Sequence, residues 1–234
     1  MDSPAPIATA KTTRNTIIKR CVITALVVGA LWWVSMILPV FCSASPNARL
    51  TTAALNASGI YKSLLLYAQD HDGKFPEATA NSNQAFRRLF PDYMEDEKVF
   101  FVPRSAWHDA APNHRPDGDI GIKPNYDQCL LQGENHWAYV SGLNPDSPHQ
   151  TPVIADGFVE GQIGTYTDDP KQKGGVWKGK KAIVIYIGGG AEHIELSRKT
   201  GFRVLHEKGS TGPKIALFSH ESSLPENAKV LNPE

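Results

Sequence analysis

The longest hydrophobic run in the chain is Cys21 to Phe41, CVITALVVGALWWVSMILPVF, and it contains no charged residue. At about 1.5 Å rise per residue, such a run is long enough for the roughly 30 Å of a hydrocarbon core. It predicts a transmembrane helix over 21–41. Lys11, Arg14, Lys19 and Arg20 precede the run and Arg49 is the first basic residue after it. The positive-inside rule therefore makes residues 1–20 a cytoplasmic tail and puts the rest on the periplasmic, extracytoplasmic side of the inner membrane, in a single-pass arrangement. The length favours an uncleaved anchor. A cleaved signal peptide, with small residues in Cys42-Ser43-Ala44-Ser45, and a lipoprotein attachment at Cys42, which the bulky Phe41 disfavours, are the alternatives. Ala25 and Gly29 form a small-xxx-small pair. Trp32 and Trp33 lie deep in the run and read as lipid or helix contacts, not interface anchors.

After the run, Ser45-Pro46 reads as an N-cap followed by proline in the first helical position. Leu50, Ala53, Ala54, Ala57, Ile60, Tyr61, Leu64, Leu65 and Ala68 recur at three- and four-residue spacing, which predicts an amphipathic helix over 47–71. Gly73 and Pro76 stop it. Beyond lie a short helix near Ala85–Leu89, a short strand at Val99–Val102, a long turn-rich loop at Arg104–Asn125, and strands at Trp137–Val140 and Val153–Ala155. Ala182–Ile187, the triple glycine Gly188–Gly190 and Ala191–Leu196 predict a β-hairpin. Phe202–Leu205 and Ile215–Phe218 add candidate strands, and residues 222–234 read as a frayed C-terminus. Residues 72–221 are thus one extracytoplasmic α+β domain. The sum is an N-terminal transmembrane helix plus a long amphipathic helix packed on a small antiparallel sheet.

Composition narrows the partners. The 24 basic and 24 acidic residues balance, so nothing points to nucleic acid. Of the three cysteines, Cys21 and Cys42 lie in or beside the run, leaving Cys129 in the soluble part. That excludes a disulfide framework and a four-cysteine zinc site. Cys129 reads as a small buried hydrophobe, with Cys42–Cys129 pairing open only if its loop reaches the membrane.

Several segments in order resemble the pseudopilin-like proteins of type II secretion, the family with a prepilin-type N-terminal processing motif. Tyr67, Ala68, Asp70, Gly73, Phe75 and Pro76 match its Y-A-x-D-x-x-G-x-[FY]-P signature. Val99-Phe100-Phe101-Val102-Pro103 is similar to its F-x-C-P strand, with Val102 in place of cysteine. Trp137 to Leu143 is similar to Y-x-Y-V-x-G-L, Thr151 to Asp156 to T-P-[LIV]-[LIV]-A-D, and Ala182 to Ile194 to the closing hairpin. The resemblance implies a pilin-like fold and a structural or interaction role, with other membrane or pseudopilin-like proteins, the lipid bilayer or a second copy of the chain as partners. Two departures stand out. No Gly precedes the apolar run and no Glu lies within it, so the processing motif is degenerate, and Gly188-Gly189-Gly190-Ala191 stands where relatives carry D-G-H-V.

Candidate chemistry is sparse. Asp70-His71-Asp72-Gly73 offers oxygen and nitrogen ligands but too few for Ca²⁺, and reads as a solvated helix end. His108, Asp109, His114, Asp117 and Asp119 follow no metal-ligand spacing and read as a water-exposed loop. Ser141, Thr151 with Asp156, and Ser219 with His220 are isolated nucleophile candidates, none in a G-x-S-x-G turn. Gly188–Gly190 lacks the Lys-Ser/Thr of a phosphate loop. No catalytic, cofactor-binding or metal residue is assigned and no cofactor is expected. The expected function is a non-enzymatic, membrane-anchored, pseudopilin-like structural or interaction protein. A membrane-tethered binding module for a glycan, peptide or metal, with the Arg104–Asn125 loop as its capture element, is the alternative, and a hydrolase is third.

Overall fold

The structure, a computed structural model, describes Arg20, residues 22–33, Ser35, and residues 46–122, 126–207, 214–222 and 224–234. The chain divides into two compact units, Met1–Ala48 and Arg49–Glu234. In the first, residues 22–33 are helical and exposed, Trp32 and Trp33 by 60% and 66%. No helix among the described residues is long and apolar enough to cross a membrane. That finding corrects the expected fold class, a pilin-like fold led by an N-terminal transmembrane helix, and with it the single-pass inner-membrane location and the membrane assignment as a whole. Cys21, Cys42 and Ser45 lie outside the described residues.

Helix α1, Pro46–Asp70, buries Leu50, Ala53, Ala57, Ile60, Leu64 and Ala68 along one stripe, while Leu55 and Leu66 face out. It ends where Asp72 and Gly73 take positive φ and the Gly73 N–H returns to the Ala68 carbonyl, which caps the last turn. Helix α2, Ser82–Arg87, starts on Asn81, whose side chain accepts from the Gln84 N–H.

The sheet is built from β1 (Trp137–Ser141), β2 (Pro152–Asp156), β3 (Lys181–Tyr186), β4 (Ala191–Glu195) and β7 (Lys229–Leu231), antiparallel throughout, in the order β4-β3-β2-β1-β7. Strands β5 (Leu205–Glu207) and β6 (Lys214–Ala216) form a separate two-stranded sheet. Every residue of β1 and β2 is buried, because both faces are covered and the apolar runs need not alternate. Phe86 packs on Phe100 and on Tyr139 of β1, and α1 shares the same apolar core. The Tyr61 hydroxyl on α1 donates to the Ile187 carbonyl just beyond β3.

Two further expectations change. Val99–Val102 is not a strand: residues Glu97–Phe100 form a 3₁₀ turn capped by the Asp96 carboxylate. The C-terminal residues from 222, expected to fray, supply β7, whose pairing with Tyr139, Val140 and Ser141 closes that side of the sheet.

Candidate functional site

The β3–β4 turn is the starting point. Gly189 takes φ +79, and the turn lies so close to the preceding loop that a Cβ on Gly188 would meet His149 at 3.2 Å. Glycine is therefore required by close approach as well as by the turn. The Gly188 N–H donates to the His149 carbonyl at 2.9 Å and the Ile187 N–H to that of Thr151 at 3.0 Å. These bonds seat the loop against the hairpin and leave the side chains of His149 and Gln150 pointing into an open groove of about 570 Å³. Tyr186, Gly188 and Gly190 from the hairpin, Glu192 from β4 and His206 from β5 line the rest. A second cleft of about 440 Å³ shares Gln150 and His206 and adds Thr151, His220, Ser222 and Leu224.

Within the groove the Tyr186 hydroxyl donates to Glu192 Oε2 at 2.8 Å. Burial and the Glu192 carboxylate both push the phenol pKa up, so Tyr186 is a neutral hydrogen-bonding group here and no base. The His220 ring donates through Nδ1 to the Pro225 carbonyl at 2.9 Å. Ser219 donates to the Ala216 carbonyl, not to His220, so these two neighbours form no nucleophile–base pair.

No protein-family model, curated protein or solved structure matches the chain. Function is therefore read from the geometry.

The other residues singled out by sequence have structural roles. Asp156 is 1% exposed and accepts from His136 Nε2 at 2.5 Å, Trp177 Nε1 at 2.9 Å and the Ile183 N–H at 2.6 Å. It staples β1, β2 and β3 together. Thr151 precedes the opposite end of β2, roughly 16 Å away at 3.3 Å per residue, so the Thr151–Asp156 pair does not form. Ser141 accepts from the Ala78 N–H. His71 stacks on Tyr67 and donates to its carbonyl, and Asp70 accepts from the Tyr93 hydroxyl.

The Arg104–Asn125 loop departs from expectation. His108 is buried, accepting from the Val102 N–H through Nε2 and donating to the His114 carbonyl through Nδ1, while His114 donates to the Trp107 carbonyl. Burial foremost, then the neighbouring His136, lowers the His108 pKa to about 3, so its ring is neutral at pH 7. Asp109 pairs with Arg115, and Asp117 and Asp119 accept from backbone N–H groups two residues on. His108 is held by protein contacts where water had been expected, while Asp109, Asp117 and Asp119 are exposed, as expected. Among the described residues no group of three or more His, Cys, Asp or Glu side chains could hold a metal ion.

Sequence reasoning missed a second buried polar node. Glu97 is fully buried, its Oε1 accepting from the Leu130 N–H at 2.5 Å and its Oε2 meeting no donor. Glu134, 4% exposed, accepts from the Leu131 N–H at 2.6 Å. Burial raises both carboxyl pKa values, that of Glu134 to about 7 with Glu97 adding to it. Cys129 beside them is buried and free, its thiol pushed well up by burial and by Glu97, which makes it unreactive. The groove residues were missed too: His149, Gln150, Tyr186, Glu192 and His206 are scattered in sequence and meet only through the hairpin.

Proposed function

We propose that this chain is a non-enzymatic interaction module that recognises a hydroxyl-rich ligand, a glycan, in the groove between the β3–β4 hairpin and β5. The observation that carries the reading is the lining itself: the planar hydrogen-bonding groups of His149, Gln150, Glu192 and His206 around the half-buried ring of Tyr186. Sugar hydroxyls pair with such groups while the apolar face of a pyranose covers an aromatic ring, and few, well-placed polar groups fix the orientation. The lack of any hydroxyl or thiol bonded to an imidazole in the groove favours binding over hydrolysis.

Titration of the isotopically labelled chain with soluble oligosaccharides, followed by NMR shifts, tests this. Shifts should cluster at His149, Gln150, Tyr186, Glu192 and His206, and His206→Ala and Glu192→Ala should each weaken binding about tenfold, as loss of a charged or paired hydrogen bond does. Shifts elsewhere, or binding untouched by both substitutions, would reject the groove. Self-association of the chain through these residues would replace the glycan with a second copy.

A further inference from the structure

The groove and the second cleft, of about 570 and 440 Å³, each fall within the roughly 300–1,000 Å³ of a small-molecule site. Gln150 and His206 line both, and they come from different elements, the loop before β2 and strand β5. The two spaces therefore meet at these side chains. One short loop also serves both: His149 lines the groove, and Pro148 and Thr151 line the cleft. That loop is held on the hairpin by the Gly188 and Ile187 N–H groups, and is closed on itself by the Thr151 N–H bond to the Pro148 carbonyl at 2.8 Å. The shared wall is thus ordered before a ligand arrives, which lowers the entropy cost of binding.

The other side of the cleft is the turn that starts at Ser219. The N–H groups of Ser222 and Leu224 both return to the Ser219 carbonyl, and His220 Nδ1 meets the Pro225 carbonyl at 2.9 Å. A carbonyl only accepts, so Nδ1 carries the proton, and in the neutral ring Nε2 is left as an acceptor. Leu224 and Pro225 add an apolar surface. The cleft therefore repeats what the groove offers, a hydrogen-bond acceptor beside an apolar face. In the groove these are Glu192 and the Tyr186 ring.

We propose that groove and cleft are two subsites of one site, so that the ligand is a linear oligosaccharide of at least two sugar units. This rests on the glycan reading of the groove and adds the second subsite and the length of the ligand. One unit covers Tyr186 and donates a hydroxyl to Glu192. The chain passes Gln150 and His206, and the next unit rests on Leu224 and Pro225 and donates a hydroxyl to His220 Nε2. Covalent linkage of the units makes occupation of the second subsite intramolecular, so affinity grows with chain length.

Calorimetric titration of the full chain with glucose and maltotetraose, and with N-acetylglucosamine and chitotetraose, tests this. In the series that binds, the tetrasaccharide should bind about tenfold or more tighter than its monosaccharide. His220→Asn, whose amide N–H can keep the bond to Pro225 while the acceptor at Nε2 is lost, should bring the tetrasaccharide down to about the affinity of the monosaccharide, with an unchanged melting temperature. Glu192→Ala should weaken both lengths alike. Equal affinity for the two lengths in the parent chain, or a length gain that His220→Asn retains, overturns the second subsite and leaves the groove as a single-sugar site. Failure of every sugar to bind rejects the groove reading and the second subsite with it.

Discussion

Asp156 and Glu97 are both carboxylates sealed inside one domain, and they are treated in opposite ways. Asp156 receives three donors, from His136 just before β1, from the loop after β2 through Trp177 and from the backbone of β3. Glu97 receives the Leu130 N–H and weaker help from the Cys129 thiol and the Gly118 backbone, has one oxygen that meets no close donor, and shares its surroundings with a second buried carboxyl, Glu134. A buried charge is tolerated where hydrogen bonds replace its water. Where they do not, the carboxyl pKa rises. The first node is a fixed hydrogen-bonded staple, whereas the second is a titratable patch.

The largest effect should come from cutting the staple. Asp156→Ala leaves His136, Trp177 Nε1 and the Ile183 N–H without their acceptor, and should cost about 3–5 kcal/mol, the usual result of breaking a buried pair from one side. Urea unfolding would show it as a lower midpoint with unchanged slope. A loss under 1 kcal/mol would mean water enters the site freely, and the contrast between the nodes would collapse.

The next effect concerns pH. His108 belongs to the Asp156 side, its ring 5.9 Å from that of His136, and its folded pKa lies near 3 against an ordinary 6.5. As pH falls below 6.5 the unfolded chain takes up the proton first, so stability is lost on the way down towards 3. Between pH 6.5 and 4.5 this group alone should remove about 2 kcal/mol. His108→Asn, which can still accept from Val102 and donate to His114, should flatten that limb in denaturant titrations across pH.

The Glu97–Glu134 node should act in the reverse sense and by a similar amount. The folded pKa of Glu134 is raised from 4.5 to about 7, so the folded state holds the extra proton, and stability falls as pH climbs from about 4.5 through 7. A loss of about 2–3 kcal/mol over that span is expected, and Glu134→Gln should abolish most of it. A shallower fall over this window in Glu97→Gln than in the parent would confirm that the two carboxyls are coupled.

How much of this was legible follows the same division. Trp137–Val140, Val153–Ala155 and Ala182–Ile187 announce strands because each is a short, uninterrupted apolar run, buried on both faces except at half-buried Tyr186. The triple glycine between Ile187 and Ala191 announces the hairpin because only a turn needs it. Val99–Val102 misleads: it has the composition of a strand, but Asp96 caps it into a turn and Phe100 serves as a core plug. The 222–234 segment looks frayed until Val230 meets Val140, 90 positions earlier in the chain, a pairing no local pattern encodes. Cys21–Phe41 has the composition of a membrane span, yet hydropathy alone overreached, since no described helix meets the length and apolarity required. Buried polar nodes are the least legible, because their partners converge only on folding. His108 sits among Pro, Gly and Asp, the signature of an exposed loop, and is nonetheless inside.

The smallest expected effect lies in the groove and tests whether burial, and not the mere presence of a carboxylate, sets the scale. Glu192 accepts one hydrogen bond, from Tyr186, and is exposed. When Glu192→Gln removes its charge, water can take over as partner for the phenol, so stability should shift by no more than about 0.5 kcal/mol. Asp156→Asn, the same change of carboxylate to amide, places an NH₂ group where Asp156 now accepts from three donors, and should cost several times more. Measuring both in one buffer isolates the difference. Equal losses would show that the groove side of the hairpin is as tightly built as the sheet centre, leaving it too rigid to adapt to a ligand; a near-zero loss for Glu192→Gln leaves this carboxylate free to be used in binding.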